Sequence, residues 1–183
     1  FLKSIFRKND FCGKQLEFVN QAIQLKNTIG IVSNSEEISI AYQLAALLQP
    51  GISLIINPVM SSMKEMFDNL QESGIDLIYY INSSQTKLYQ KSEAIRNFRN
   101  AGSVFTFVSA DRFQTVEFRQ ILNEMYANEK YFAYTIIEDA HCLSEWSHDY
   151  RESYNLLPTI LKKYCKTKNL SEIPLLATTS YAS

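Results

Sequence analysis

Six short apolar runs of β type, separated by longer stretches with one apolar face, limit the possible folds of this chain more than any other feature. The runs are TIGIV (Thr28 to Val32), SLII (Ser53 to Ile56), LIYYI (Leu77 to Ile81), VFTFV (Val104 to Val108), YTII (Tyr134 to Ile137) and IPLLA (Ile173 to Ala177). Near-continuous apolar runs of this length fit strands buried on both faces. Between them Met60, Met63, Phe67 and Leu70 recur at helical spacing, as do Leu88, Ile95 and Phe98, and then Ile121, Leu122 and Met125. Each set predicts a helix with a single apolar face. Alternating strand and helix requires crossover connections, so the expected class is α/β: three layers, a mostly parallel sheet with helices on both faces. In such sheets ligands meet the loops at the carboxyl ends of the strands. The informative loops are those after Val32, Ile56, Val108, Ile137 and Ala177.

With 183 residues, 46% of them hydrophobic, and no Ser/Gly/Pro-rich stretch or internal repeat, the chain is expected to form one domain over residues 1–183. Lys and Arg number 18 against 19 Asp and Glu, so any nucleic-acid site must be a local patch and not a global field. No run approaches the ~18 to 20 apolar residues of a membrane span, and residues 1–10 lack a secretory pattern, so no membrane partner is expected. The cysteines Cys12, Cys142 and Cys165 are odd in number and form no CxxC, which argues against a disulfide framework or structural zinc. An intracellular setting, cytoplasmic or nucleoid/nuclear, is the expectation. The absence of an initial Met and the stop just after an apolar run suggest a fragment of a longer protein.

Read in order, the loops resemble the first RecA-like lobe of a RecQ-type DNA helicase, over nearly the whole chain. FCGKQ (Phe11 to Gln15) is similar to the family's opening element, with Gln15 in place of the adenine-reading glutamine and Cys12 where an arginine usually stands. Ala41 to Ile75 is similar to the helix after the phosphate loop, the next strand and motif Ia. FVSADRF (Phe107 to Phe113) resembles motif Ib. EDAHCLSEWSHDYRESY (Glu138 to Tyr154) is similar to the DEAH box running into an aromatic-rich loop. The resemblance implies a RecA-like fold of the P-loop NTPase type, ATP and Mg as cofactors, DNA as a partner, single-stranded or junction, and a second RecA-like lobe with further domains in the parent chain.

The phosphate loop departs from the family pattern. An active loop, G-x-x-x-x-G-K-[ST], needs glycines so that backbone N–H groups close on phosphate, a lysine for the β and γ phosphates, and a hydroxyl for Mg. Here Ser33, Asn34, Ser35, Glu36, Glu37 and Ile38 precede Ser39, so the hydroxyl is kept while Ile38 holds the lysine position. Two adjacent carboxylates oppose a polyphosphate: like charges about 4 Å apart repel by on the order of 4 kcal/mol at an effective dielectric of 20. The same acids also fit a capping box behind Ser33 or Asn34, which would supply an internal anion to the helix N-terminus; plain surface acids are the other reading. Glu138 and Asp139 stand in swapped order relative to the family's catalytic pair, which leaves Ser39 and Glu138 as candidate Mg ligands and moves the water-positioning carboxylate. An ångström of misplacement can cost on the order of 100-fold in rate. The last motif, ATTSYAS (Ala177 to Ser183), keeps Thr178 and Thr179.

The nucleic-acid residues implied by the resemblance are Asn57, Pro58, Ser61, Ser62 and Lys64 at motif Ia, Arg112 at motif Ib, and Trp146, His148, Tyr150 and Arg151 in the aromatic-rich loop. Donors for phosphates and flat groups for bases are what such contact requires. Packing alone is the other use of Trp and Tyr. Three functions stay open at this point: a lobe impaired in ATP hydrolysis and retained for nucleic-acid binding, a working helicase that tolerates a non-standard loop, and a protein-interaction scaffold.

Overall fold

The computed structural model describes the backbone of residues 1–31, 35–57, 60–81, 88–141 and 148–179, and the side chains over the same stretches except 35–37, 60–61, 88–91 and 148–152. Six strands appear where the apolar runs predict them: β1 (Thr28–Ile31), β2 (Ile52–Ile56), β3 (Ile78–Ile81), β4 (Phe105–Val108), β5 (Phe132–Ile137) and β6 (Leu175–Thr179). They form one sheet in the order β1-β6-β5-β2-β4-β3, and every pairing is parallel. The helices are α1 (Leu2–Phe6), α2 (Gln15–Ile23), α3 (Ser35–Leu48), α4 (Met60–Glu72), α5 (Leu88–Arg99), α6 (Val116–Ala127) and α7 (His148–Tyr164), with a 3-10 segment over Ala110–Gln114. Among the described residues no helix is long and apolar enough to cross a membrane.

Side-chain alternation along the strands builds a core on each face of the sheet. On one face Ile55, Phe105, Phe107, Tyr134, Ile136 and Leu176 meet α2, α3 and α4 through Phe18, Ile38, Tyr42, Met63 and Leu70. On the other, Leu54, Ile56, Val108 and Phe132 meet α5, α6 and α7 through Phe98, Phe118, Ile121, Leu122, Leu157 and Leu161. Phe98 and Phe118 stack at 5.5 Å and Phe113 meets Phe118 edge-on at 5.2 Å, which ties the 3-10 segment to this second layer. The expected three-layer architecture is present.

Two glycines matter to the packing. Gly51, at φ +117, leads into β2 where a Cβ would lie 2.9 Å from the backbone of Phe132 and Ala133, so only glycine fits there. Gly30 in β1 packs so closely that a Cβ would sit 3.1 Å from both Ile38 and Phe18. At the sheet edge the neighbours of Gly30, Ile29 and Ile31, are exposed.

Candidate functional site

The carboxyl ends of β2 and β5 lie side by side, and the residues that leave them meet. Glu138 follows β5 and its N–H donates to the Ile56 carbonyl at 3.0 Å. Its carboxylate is buried, where it accepts from the Tyr42 hydroxyl at 2.5 Å and from Asn57 Nδ2 at 2.9 Å. Asn57 Nδ2 also lies 3.2 Å from Ser62 Oγ, in the first turn of α4. One hydrogen-bonded chain therefore joins α3, β5, β2 and α4. Burial pushes the Glu138 carboxyl up to about 7, an effect that neighbouring Asp139 adds to and the bonds from Tyr42 and Asn57 oppose. Burial, and then the adjacent Glu138, push the Tyr42 phenol well above its usual value, so the phenol keeps its proton and is the donor.

The swapped order of the two acids has a local reason. Position 138 is buried and its carboxylate must span the gap to Tyr42 and Asn57, which suits the longer side chain. Asp139 adopts a left-handed conformation, φ 48, which Asp tolerates better than most residues. The next residues tie this turn to β6: Ala140 N–H donates to the Thr178 carbonyl at 2.9 Å, and His141 Nδ1 lies 3.0 Å from Thr179 Oγ1. Thr178 and Thr179, kept from the last motif, are thus both engaged with the loop after β5.

Gln15 and Ser39 come together in a different place. Both line an open cleft of about 570 Å³, with Phe6, Cys12, Gln43 and Met66 among its other walls. Gln15 Oε1 accepts from the Cys12 N–H at 2.8 Å, which closes the turn before α2. Glu138 and Asp139 are not among the residues that line this cleft. Ile38, at the lysine position, points into the core and is 3% exposed, packed on Phe18 and Gly30. Among the described residues, the side chain at the lysine position is internal, and the Glu138 carboxylate accepts from two protein donors.

Helix α3 begins at Ser35, which puts Glu36 and Glu37 in its first turn. The capping residues proposed for it, Ser33 and Asn34, lie outside the described residues, as do Pro58, Trp146 and Tyr181. The side chains of Ser35, Glu36, Glu37, Ser61, His148, Tyr150 and Arg151 lie outside them as well. Two nucleic-acid candidates are placed differently from their expected role. Asn57 is 2% exposed and directs its amide at Glu138 and Ser62, because it caps the junction of two buried elements. Arg112 is 5% exposed: the 3-10 segment turns it inward, and among the described residues it forms an ion pair with Glu117. Lys64 is exposed on α4. Tyr42 was not singled out from sequence, although a tyrosine on the buried Ile38, Ala41, Tyr42, Ala45 face of a helix signals an internal acceptor.

No protein-family model matches the chain. It is 32% identical over 157 residues to the ATP-dependent DNA helicase RecQ of Haemophilus influenzae, a match covering 85% of this chain and 24% of that protein. The protein of the same name from Bacillus subtilis is 31% identical over 150 residues, covering 81% and 24% respectively. The chain therefore spans about a quarter of the length of the curated relatives it matches. A hypothetical ATP-dependent RNA helicase from Sulfolobus tokodaii shares the fold, with a TM-score of 0.68 at 13% identity over 98% of this chain and 49% of that one. Sheet order, loop positions and these matches agree: the chain is a RecA-like domain whose homologues, at 25–32% identity over most of its length, are RecQ-family ATP-dependent DNA helicases.

Proposed function

We propose that this chain is a single first lobe of a RecQ-like helicase parent, impaired in ATP hydrolysis and retained for binding DNA inside the cell. The observation that carries the reading is the internal use of both nucleotide-site positions. Ile38 belongs to the core, and the Glu138 carboxylate belongs to the Tyr42–Asn57–Ser62 chain. A group committed to buried hydrogen bonds can meet a metal only by giving them up, which is costly in a low-dielectric setting. On this reading Glu138 positions the α4 end, where Ser62 and Lys64 face a nucleic-acid backbone, and the aromatic-rich residues Trp146, His148, Tyr150 and Arg151 add base and phosphate contacts. The second lobe and further domains of the parent would be its intramolecular partners.

A second reading has one observation in its favour: Gln15 and Ser39 share a cleft large enough for a nucleotide base and sugar. That supports residual nucleotide affinity without turnover. Titration calorimetry with Mg-ATP, run beside fluorescence anisotropy with single-stranded DNA, tests both. DNA binding without ATP heat supports the first reading, and ATP heat without hydrolysis supports the second. Micromolar Mg-ATP binding with turnover overturns both and makes the parent a working helicase. Weak DNA binding that is unchanged when Trp146 and Arg151 are substituted would favour a protein scaffold.

A further inference from the structure

At the end of the sheet opposite Glu138 lies a loop whose sequence does not suit its own backbone. Between α7 and β6, Lys166 and Glu172 form an antiparallel bridge, and the Lys166 carbonyl accepts from the Phe132 N–H at 2.8 Å, at the start of β5. The loop they enclose is closed by the Leu170 N–H on the Thr167 carbonyl at 2.9 Å and the Thr167 N–H on the Ser171 carbonyl at 3.1 Å. Thr167 Oγ1 and Ser171 Oγ lie 2.5 Å apart across it. In a hairpin loop of this kind a turn is followed by one left-handed residue, a position that glycine fills without strain. Leu170 fills it, at φ 59, and is 69% exposed. An exposed leucine by itself says little. Here the backbone is strained as well and little burial offsets it, and such outliers cluster at functional sites. Leu25, also left-handed, follows the end of α2 and is only 37% exposed.

The surroundings of the loop are basic. Residues 162–172 hold four lysines, Lys162, Lys163, Lys166 and Lys168, against one acid, Glu172, in a chain whose net charge is -1. Glu172 lies 3.6 Å from Lys162, Lys163 Nζ stands 4.9 Å from the centre of the Tyr164 ring, and Lys168 is exposed within the loop. We propose that Leu170 and these lysines form a docking surface for an acidic segment of a protein partner, a peptide in which Asp and Glu flank one or two aliphatic side chains. Leu170 packs on the aliphatic centre, and Lys163 and Lys168 meet the flanking carboxylates. A peptide suits the surface better than a nucleic acid, because bases need a flat group to stack on and the exposed apolar group here is aliphatic. The surface lies at the amino ends of β5 and β6, so it does not rest on the reading of the loops at their carboxyl ends.

The test is anisotropy of a fluorescein-labelled peptide, a central Leu-Leu pair flanked by glutamates, titrated with the wild-type chain, Leu170→Asn and Lys168→Glu. Lys3→Glu is the control: it makes the same charge change on α1, which packs against the other core layer. Leu170→Asn should weaken binding roughly five- to tenfold. Its melting temperature should stay level or rise, since asparagine tolerates the left-handed position, whereas a leucine that serves the fold would lower it on removal. Lys168→Glu should weaken binding roughly threefold beyond Lys3→Glu. No binding to the wild-type chain at high-micromolar concentration, or binding that ignores Leu170→Asn, overturns the proposal. A labelled oligothymidylate that loses affinity with Lys168→Glu while the peptide keeps its own would assign the surface to nucleic acid instead.

Discussion

The Tyr42 hydroxyl donates to the Glu138 carboxylate across 96 residues of sequence, and this bond fixes how α3 sits against the end of β5. Removing the donor leaves a buried acceptor without one of its two partners. Tyr42→Phe should lower stability by about 1–3 kcal/mol, more than a typical hydrogen-bond deletion, because the acceptor is ionisable and buried. Chemical denaturation at pH 8, where the carboxylate is charged, checks it.

Glu138 also gives the fold a pH dependence whose sign can be worked out. Its folded pKa, about 7, lies above the ordinary carboxyl value of 4.5, so the folded chain holds this proton more tightly than the unfolded one. Its contribution is therefore fully present below pH 4.5 and is lost as the pH rises through about 7. The loss is on the order of 3 kcal/mol in total. Glu138→Gln should flatten this part of the stability profile between pH 5 and pH 8. An unchanged slope in denaturation midpoints would contradict the assignment.

Ile38→Lys should not restore a nucleotide site. The position is internal, so a lysine there loses packing against Phe18 and buries an amine, costing about 2–5 kcal/mol. Calorimetry should show no gain in Mg-ATP binding, and a melting curve should show the loss.

Gly30→Ala should be destabilising by about 1–3 kcal/mol, because its Cβ would meet Ile38 and Phe18 at 3.1 Å. Shortening the obstacle should recover part of the loss. In a double-mutant cycle Gly30→Ala with Ile38→Val is expected to be less costly than the sum of the two single changes.

Asp139→Asn should leave the fold within about 0.5 kcal/mol, whereas Asp139→Val should cost about 1–2 kcal/mol, since a β-branched residue resists φ 48. Paired melting curves of the two variants decide it.

The strand pattern was legible because six apolar runs bounded by polar stretches leave little freedom in a 183-residue chain. The helices of the second layer were legible from spacing alone, as with Ile121, Leu122 and Met125. What each polar residue touches was not. Asn57 and Arg112 have the chemistry of phosphate contacts, and sequence carries no record of whether a side chain turns outward or back into the core. Tyr42 and Glu138 are far apart in the chain, so their pairing depends on the strand order that sets β5 beside β2. The swap of Glu138 and Asp139 reads as a defect in sequence. In the structure it is a fit between side-chain length and backbone conformation.

The outermost strand has a consequence for handling the protein. Among the described residues β1 pairs only with β6, and Ile29 and Ile31 on it are exposed, 70% and 58%, with no proline or charged residue along Thr28–Ile31. An edge of this kind offers main-chain hydrogen bonds and grease to whatever extended segment arrives first. At high concentration that segment is the same edge of another molecule, so turbidity and scattering should rise steeply with protein concentration, and Ile31→Lys should suppress them without touching the site 138–141.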